Sequence, residues 1–388
     1  MIREFDVILW GASGFTGRLV AEHIHRAYDL DGRLKWAIAG RDRIKLEQLR
    51  EEIGASTRLQ IVVADACNSG SLTAMAQRTR VIISTVGPYQ LFGSELVRVC
   101  VDEGTDYVDI SGEPNWICNM LDLDDAAKAT GARIVFSCGF DSVPFDLGVY
   151  FFQRLAKREF GVTLPRVRGR VRRLDRGIRG GRSGGSLATG AAMITAVQKN
   201  PSLRKIFLDP FALTPGFKGP EQPDGGTAYE DRMTGSWVAR FQGATLNVKI
   251  VHRSNLLLKH AWGKNFCYDE MMMIDGPTAN PSQDSPGQNI SLAPGQGPSK
   301  ADRAGGGYEL LFIGELPDGR THRIHVKGDM DPGAGSTSRI LGESAVCLAQ
   351  DVKRDKVGGG MWTSASAMGD ELIVRLTKNA GLTFSAIR

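Results

Sequence analysis

Residues 6–17 read Asp-Val-Ile-Leu-Trp-Gly-Ala-Ser-Gly-Phe-Thr-Gly, a short apolar run that breaks into spaced glycines and then enters the amphipathic stretch FTGRLVAEHIHRAY. A strand, a tight turn and a helix are the natural reading. Glycines at such a turn let the backbone bend sharply and come close to a pyrophosphate, whose charge is met by free N–H groups and the positive end of the helix dipole. Gly11, Ala12, Ser13, Gly14, Phe15 and Thr16 are therefore candidate dinucleotide contacts. The next apolar run ends at Ala39-Gly40-Arg41. A site for an unphosphorylated ribose usually places an acid there; a guanidinium instead suits a 2′-phosphate, so Gly40, Arg41 and Lys45 point to NADP(H), with Arg43 nearby. A bare tight turn and an arginine capping an exposed turn are the structural alternatives.

Working outward, the runs DVILWGA, KWAIAGR, QIVVAD, RVIISTV, DYVDIS and RIVFSC recur between helical segments up to Ser137. Each is too short for a helix, and several are apolar throughout, as parallel strands covered on both faces are. The expected fold class is α/β, a Rossmann-type doubly wound parallel sheet, followed by a second α+β domain. The boundaries expected are 1–145 for the nucleotide-binding domain and 146–335 for a substrate or dimerisation domain. Residues 336–388 would be C-terminal helices and a strand packing back on the first domain. Asp65 and Ala66 end the third strand, where an adenine would lie; Val86, Gly87 and Pro88 end the fourth, beside the expected nicotinamide.

The second region begins with a helix over 145–158, then RVRGRVR (166–172), where alternating arginines place four guanidinium groups on one strand face. That ladder suits either the phosphates of an acyl-carrier arm, coenzyme A or anionic lipid heads, or an exposed edge strand that uses charge against aggregation. The glycine-rich run 180–186 precedes an Ala-rich helix over 187–198 and serves either as a hinge or as a cradle for a substrate carbonyl or carboxylate. Residues 275–307 are rich in Pro, Gly, Ser and Gln and read as a surface loop without secondary structure. Beyond them lie two antiparallel strands joined at Pro317-Asp318-Gly319 and helices over 336–350 and 366–378.

The chain has 388 residues and a formal net charge of +5, yet the window 166–182 alone holds eight arginines against one acid. The rest is net negative, so no uniformly basic surface suits nucleic acid. No apolar run approaches the roughly 20 residues that cross a bilayer. A cytoplasmic protein is expected, with peripheral membrane contact at most. The six cysteines show no CxxC pair and read as reduced core residues, and the histidine spacings suggest no metal site.

Tyr89 is a candidate proton donor or a packing wall. Asp141 and Ser142, in GFDSVP at the end of the sixth strand, are candidates to orient a substrate or relay a proton, with helix capping the plain alternative for Asp141. Glu113 shares that ambiguity. No tyrosine is followed four residues later by lysine, Tyr150 meeting Arg154 instead, which argues against short-chain dehydrogenase chemistry. An open second sheet also favours a homodimer.

The runs LWGASGFTGRLVAEHI, AGRDRIKL, STVGPYQLFG, DYVDISGE and SCGFDSVPFDLG, followed by SGGSLATG, MDPGAGSTSRILGESAVCLAQD and GGGMWTSASAMGDELIVRLTKNAGLTF, resemble the saccharopine dehydrogenase-like oxidoreductases, including the mycobacterial trans-acting enoyl reductases. The resemblance spans nearly the whole chain. It implies an NADPH-dependent reductase and, in the enoyl reductase branch, hydride delivery to a carbon–carbon double bond of a lipid or polyketide acyl chain held by a partner synthase. Substrate-binding residues of true saccharopine reductases do not map one by one here. Two departures are the long polar run 275–307 and Trp362-Thr363-Ser364. A saccharopine-type imine reductase and an inactive NADP-binding or lipid-surface scaffold remain the alternatives.

Overall fold

The computed structural model describes residues 3–28, 33–175, 183–277, 293, 295–316 and 318–387. The six expected strands are present: β1 (Phe5–Trp10), β2 (Trp36–Gly40), β3 (Gln60–Val63), β4 (Thr79–Ser84), β5 (Asp106–Asp109) and β6 (Arg133–Val135). They pair in parallel in the order β6-β5-β4-β1-β2-β3, so the order reverses between β1 and β4. Such a switch point opens a crevice at the carboxyl ends of the strands, where doubly wound sheets bind ligands.

A second, mixed sheet follows. Its strands are β7 (Arg166–Asp175), β8 (Tyr229–Asp231), β9 (Ser236–Arg240), β10 (Cys267–Ile274), β11 (Gly307–Glu315) and β12 (Thr321–Gly328). Beyond these, β13 (Gly360–Trp362) pairs with β6 as a seventh strand of the first sheet, and β14 (Leu382–Ala386) pairs with β12 in the second. The region 336–388 thus divides between the sheets. Helix Thr337–Gln350 lies on β1, β4 and β5, while helix Gly369–Asn379 packs on that helix and on β14. Helices Val143–Phe160 and Ala244–Leu257 pack on each other and on β10, β11 and β12 of the second sheet. One continuous cluster of buried side chains runs from Val7, Leu9 and Ile83 through Ile340 and Val346 to Phe152, Phe312 and Val326.

Several expectations are corrected. The arginine strand is no edge strand: β7 lies between β11 and β10. Its guanidinium groups meet acids from other strands, Arg168 with Glu315 at 2.6 Å and Arg172 with Glu309 at 3.0 Å. Arg170 is fully buried and bonds Asp231 at 2.6 Å, Asp269 at 2.7 Å and the Tyr229 hydroxyl at 3.0 Å. Pairing, not solvent, relieves the repulsion of the ladder. The run 275–307 holds a short helix, Lys300–Ala304, begun by a capping box between Ser299 and Asp302. Residues 278–292 and 294 of that run, the glycines and arginine at 180–182, and Pro317 lie outside the described residues. Of the six cysteines expected in the core, Cys67 is exposed and Cys118 and Cys267 are half-buried.

A buried ion pair locks the first sheet to the returning chain. Arg133 of β6 donates from Nε to Asp106 of β5 at 3.0 Å and from its two terminal nitrogens to the carbonyls of Leu348 and Val352, each at 2.8 Å. Arg354 reaches the other Asp106 oxygen at 3.0 Å. Replacing Arg133 with leucine strands two carbonyls and half-pairs a buried carboxylate, at an expected cost of about 3 kcal/mol. Urea denaturation measures it; a loss below about 1 kcal/mol would mean that Arg354 alone neutralises Asp106.

Candidate functional site

The turn after β1 is built for close approach. Gly11 sits at φ +86°, and a Cβ there would stand 2.7 Å from both Thr85 Oγ1 and Val86 Cγ2. At Gly17 a Cβ would lie 2.2 Å from the Gly11 carbonyl oxygen. One glycine makes the turn and the other lets the helix Phe15–Ala27 leave it at contact distance. Gly14 caps that helix without a side-chain hydrogen bond, and its first turn carries no acid. The first-turn N–H groups therefore face outward with nothing in the side chains to occupy them, which fits an anion.

Ser13 Oγ lies 3.8 Å from where a Gly40 Cβ would be, so the glycine turn and the end of β2 stand side by side. Arg41 follows, exposed. Among the described residues no carboxylate pairs with it, whereas Arg43 pairs with Glu47 at 3.6 Å and Lys45 with Asp42 at 3.8 Å. This donor set fits a 2′-phosphate. Asp65 is half-buried and accepts the Cys67 N–H at 2.8 Å, so one of its oxygens shapes its own turn. Ala12 is fully buried, leaving its backbone as the part that faces the turn.

At the end of β4, Val86 and Pro88 are half-buried and Gly87 is exposed. Tyr89 turns inward: its hydroxyl donates to the Ser84 carbonyl at 2.9 Å and accepts from the Ile110 N–H at 3.3 Å. Burial, aided by the nearby Asp109, pushes this phenol well above its ordinary range. The geometry is that of a packing wall. Glu113 holds the same edge by accepting the N–H groups of Tyr89 at 2.9 Å and Gly112 at 2.8 Å. Asp109, buried and pushed up to about 7 by desolvation, accepts N–H groups of Ser111 and Ser137.

Asp141 is exposed at the mouth of this edge. Ser142 is buried, and its Oγ donates to Asn247 Oδ1 at 3.3 Å. Asn247 in turn donates to Glu270 Oε2 at 2.9 Å, and Tyr268 donates to Glu270 Oε1 at 2.7 Å. Ser142 is thus the first link of a buried chain from the first sheet into the second. Sequence reading missed Asn247, Glu270 and Tyr268, since each sits in an ordinary helix or strand pattern. Tyr89 and Ser142 share no hydrogen bond. From the far side, Thr189 of helix Gly184–Lys199 approaches Gly87, its Oγ1 3.7 Å from a notional Cβ. Arg303 covers the Phe15 ring at 5.8 Å.

Comparison with known proteins places this geometry. A family model described as "Saccharopine dehydrogenase NADP binding domain" matches residues 7–135, the stretch from β1 through β6. A Mycobacterium tuberculosis protein carrying the provisional name of trans-acting enoyl reductase is 36% identical over 422 aligned positions, covering 100% of this chain and 98% of its own. A trans-acting enoyl reductase of Mycobacterium ulcerans is 34% identical over 420, again covering 100% and 98%. Among solved structures, the apo saccharopine dehydrogenase (L-Glu forming) of Saccharomyces cerevisiae superposes with a TM-score of 0.52 at 13% identity, covering 99% of this chain and 100% of that one. That likeness is one of fold.

Two outcomes follow from the site. Arg41→Asp should weaken NADPH by roughly 2 kcal/mol or more and leave NADH much less affected, because a charge-assisted pair becomes a repulsion; parallel calorimetric titrations decide it, and equal weakening would dismiss the 2′-phosphate role. Glu270, pushed up to about 8 by burial, holds its proton in the fold where the unfolded chain has lost it, above about pH 4.5. Its contribution to stability is therefore present at low pH and lost as pH rises toward 8. Glu270→Gln should flatten that decline in a series of melting curves across pH; an unchanged slope would place the titration elsewhere.

Proposed function

The chain belongs to the saccharopine dehydrogenase-like family that includes the mycobacterial trans-acting enoyl reductases, an NADP-dependent oxidoreductase, and from that premise we propose that it reduces an activated carbon–carbon double bond in a lipid or polyketide acyl chain carried by a separate synthase. The observation that carries this reading is the match to relatives of that name along the full length of both chains. The surroundings of Gly87 support it. The helix that approaches there, Gly184–Lys199, is mostly Gly, Ala and larger apolar residues with Ser186, Thr189, Thr195 and Gln198 among them, and has no charge before Lys199. An imine reductase of the saccharopine kind needs arginines aimed into a small polar cavity. In this chain Arg166, Arg168, Arg170 and Arg172 of β7 alternate with Val167 and Val171, which join the shared core, and each of the four is paired with an acid.

In this assignment the turn Gly11–Thr16 and the start of its helix hold the pyrophosphate, with Arg41 and Lys45 on the 2′-phosphate and Gly40 giving room beside them. Asp65 and Ala66 border the adenine. Val86, Gly87 and Pro88 wall the nicotinamide, and Tyr89 with Glu113 fixes that wall from behind. The bound cofactor supplies the hydride. Of the three groups read as catalytic, Asp141 alone is exposed, so we assign proton delivery to it or to a water it orients. Ser142 holds the same turn to Asn247. An acyl-carrier or synthase domain is the partner this chemistry requires.

The test is NADPH oxidation followed spectroscopically with an α,β-unsaturated acyl pantetheine thioester, in parallel with a 2-oxo acid and amino acid pair that forms an imine. Turnover of the thioester alone is expected. Turnover of the imine mixture alone would replace this reading with the amino-acid one, and tight NADPH binding with neither reaction would mark a scaffold.

A further inference from the structure

Helix Gly184–Lys199 has no charged residue before its last position, yet Gly184 is its only buried residue. A surface helix ordinarily carries charged residues on its outward face. Here its outer stripe carries Leu187 and Ile194, two turns apart, with Ile194 61% exposed. The short helix Arg204–Leu208 extends the surface with Leu208, 79% exposed, and is pinned to the body where buried Lys249 donates to the Phe207 carbonyl at 3.0 Å. The same helix packs on helix Pro114–Met120, whose Asn115 bonds Gln90 at 3.2 Å. Beside Gln90 stand Leu91, 63% exposed, and Phe92. Five large apolar side chains are thus exposed on these neighbouring elements. Monomeric surfaces rarely gather them so.

Their rim is cationic. Between Ser183 and Leu208 the sequence has no acid, while Lys199, Arg204 and Lys205 are exposed. Among the described residues none of the three is in an ion pair. We propose that this surface docks the protein on an anionic lipid bilayer, with helix Gly184–Lys199 and Leu208 entering the headgroup boundary and the three bases meeting lipid phosphates. Apolar insertion beside basic residues is the pattern of interfacial helices. Half-buried positions from Ala188 to Val197 keep one side of the helix on the protein, and the exposed stripe with Leu187 and Ile194 is the side left for a bilayer. Docked in this way, the nicotinamide edge opens toward the membrane, and an acyl chain reaches it without crossing water.

Flotation of the NADPH-loaded protein with phosphatidylcholine vesicles, with and without phosphatidylglycerol, tests this. Binding is expected with the anionic vesicles and should fall as salt is raised. Ile194→Asp with Leu208→Asp should lower partitioning about tenfold or more. Lys199→Glu, Arg204→Glu and Lys205→Glu together should lower it about a hundredfold on anionic vesicles. Retained NADPH binding certifies that each variant is folded. The proposal fails if the wild type ignores both vesicle types, if its binding is indifferent to salt, if the variants float like the wild type, or if these residues bind only an acidic acyl-carrier protein. Vesicle binding is read without turnover, so a failed enoyl assay leaves it standing.

Discussion

Gly17 has no room for a side chain because the Gly11 carbonyl oxygen lies 2.2 Å from where its Cβ would be. That contact sets the direction in which the first helix leaves β1, and with it the place where the helix N-terminus meets the crevice between β1 and β4. Everything near the crevice is fitted to the turn. Thr85 donates to the carbonyls of Trp10 and Gly11, His23 nearly two turns further along the helix meets Glu343 at 2.8 Å, and Tyr28 at its end bonds the same carboxylate. Arg375 and Asn379 complete that buried cluster, so the position of the glycine turn is held from the far end of the sequence.

The second sheet obeys a different constraint, the neutralisation of a row of guanidinium groups inside a sheet. Each arginine on that face has an acid on a neighbouring strand, and Arg170 is enclosed by two acids and a tyrosine. Pairing of this kind adds little net stability over apolar packing. It does specify register, because a slip of one residue in β7 against β11 would turn the arginines inward, against Phe152 and Phe312.

What could be read from the chain was what is local. Six strands stood out because each is a short, largely apolar run between helical segments, and the glycine turn and Arg41 because each sits at the end of such a run. β13 was missed because three residues after Gly358-Gly359 read as a turn; only the edge of β6 makes them a strand. The arginine ladder was read as either a phosphate-meeting face or an exposed edge because the acids that pair with it, Asp231, Asp269, Glu309 and Glu315, lie about 60 to 150 positions away. For the same reason the chain from Ser142 through Asn247 to Glu270 had no signature: it exists only once helix Ala244–Leu257 is laid on β10.

The return of the chain orders the birth of the molecule. Helix Thr337–Gln350 is the cover for one face of β1, β4 and β5, and β13 closes the free edge of β6. Until residue 337 and those after it are made, one face of the first sheet lacks its cover and helix Phe15–Ala27 lacks the Glu343 anchor. A nascent chain halted before residue 337 would present that bare face to chaperones and proteases.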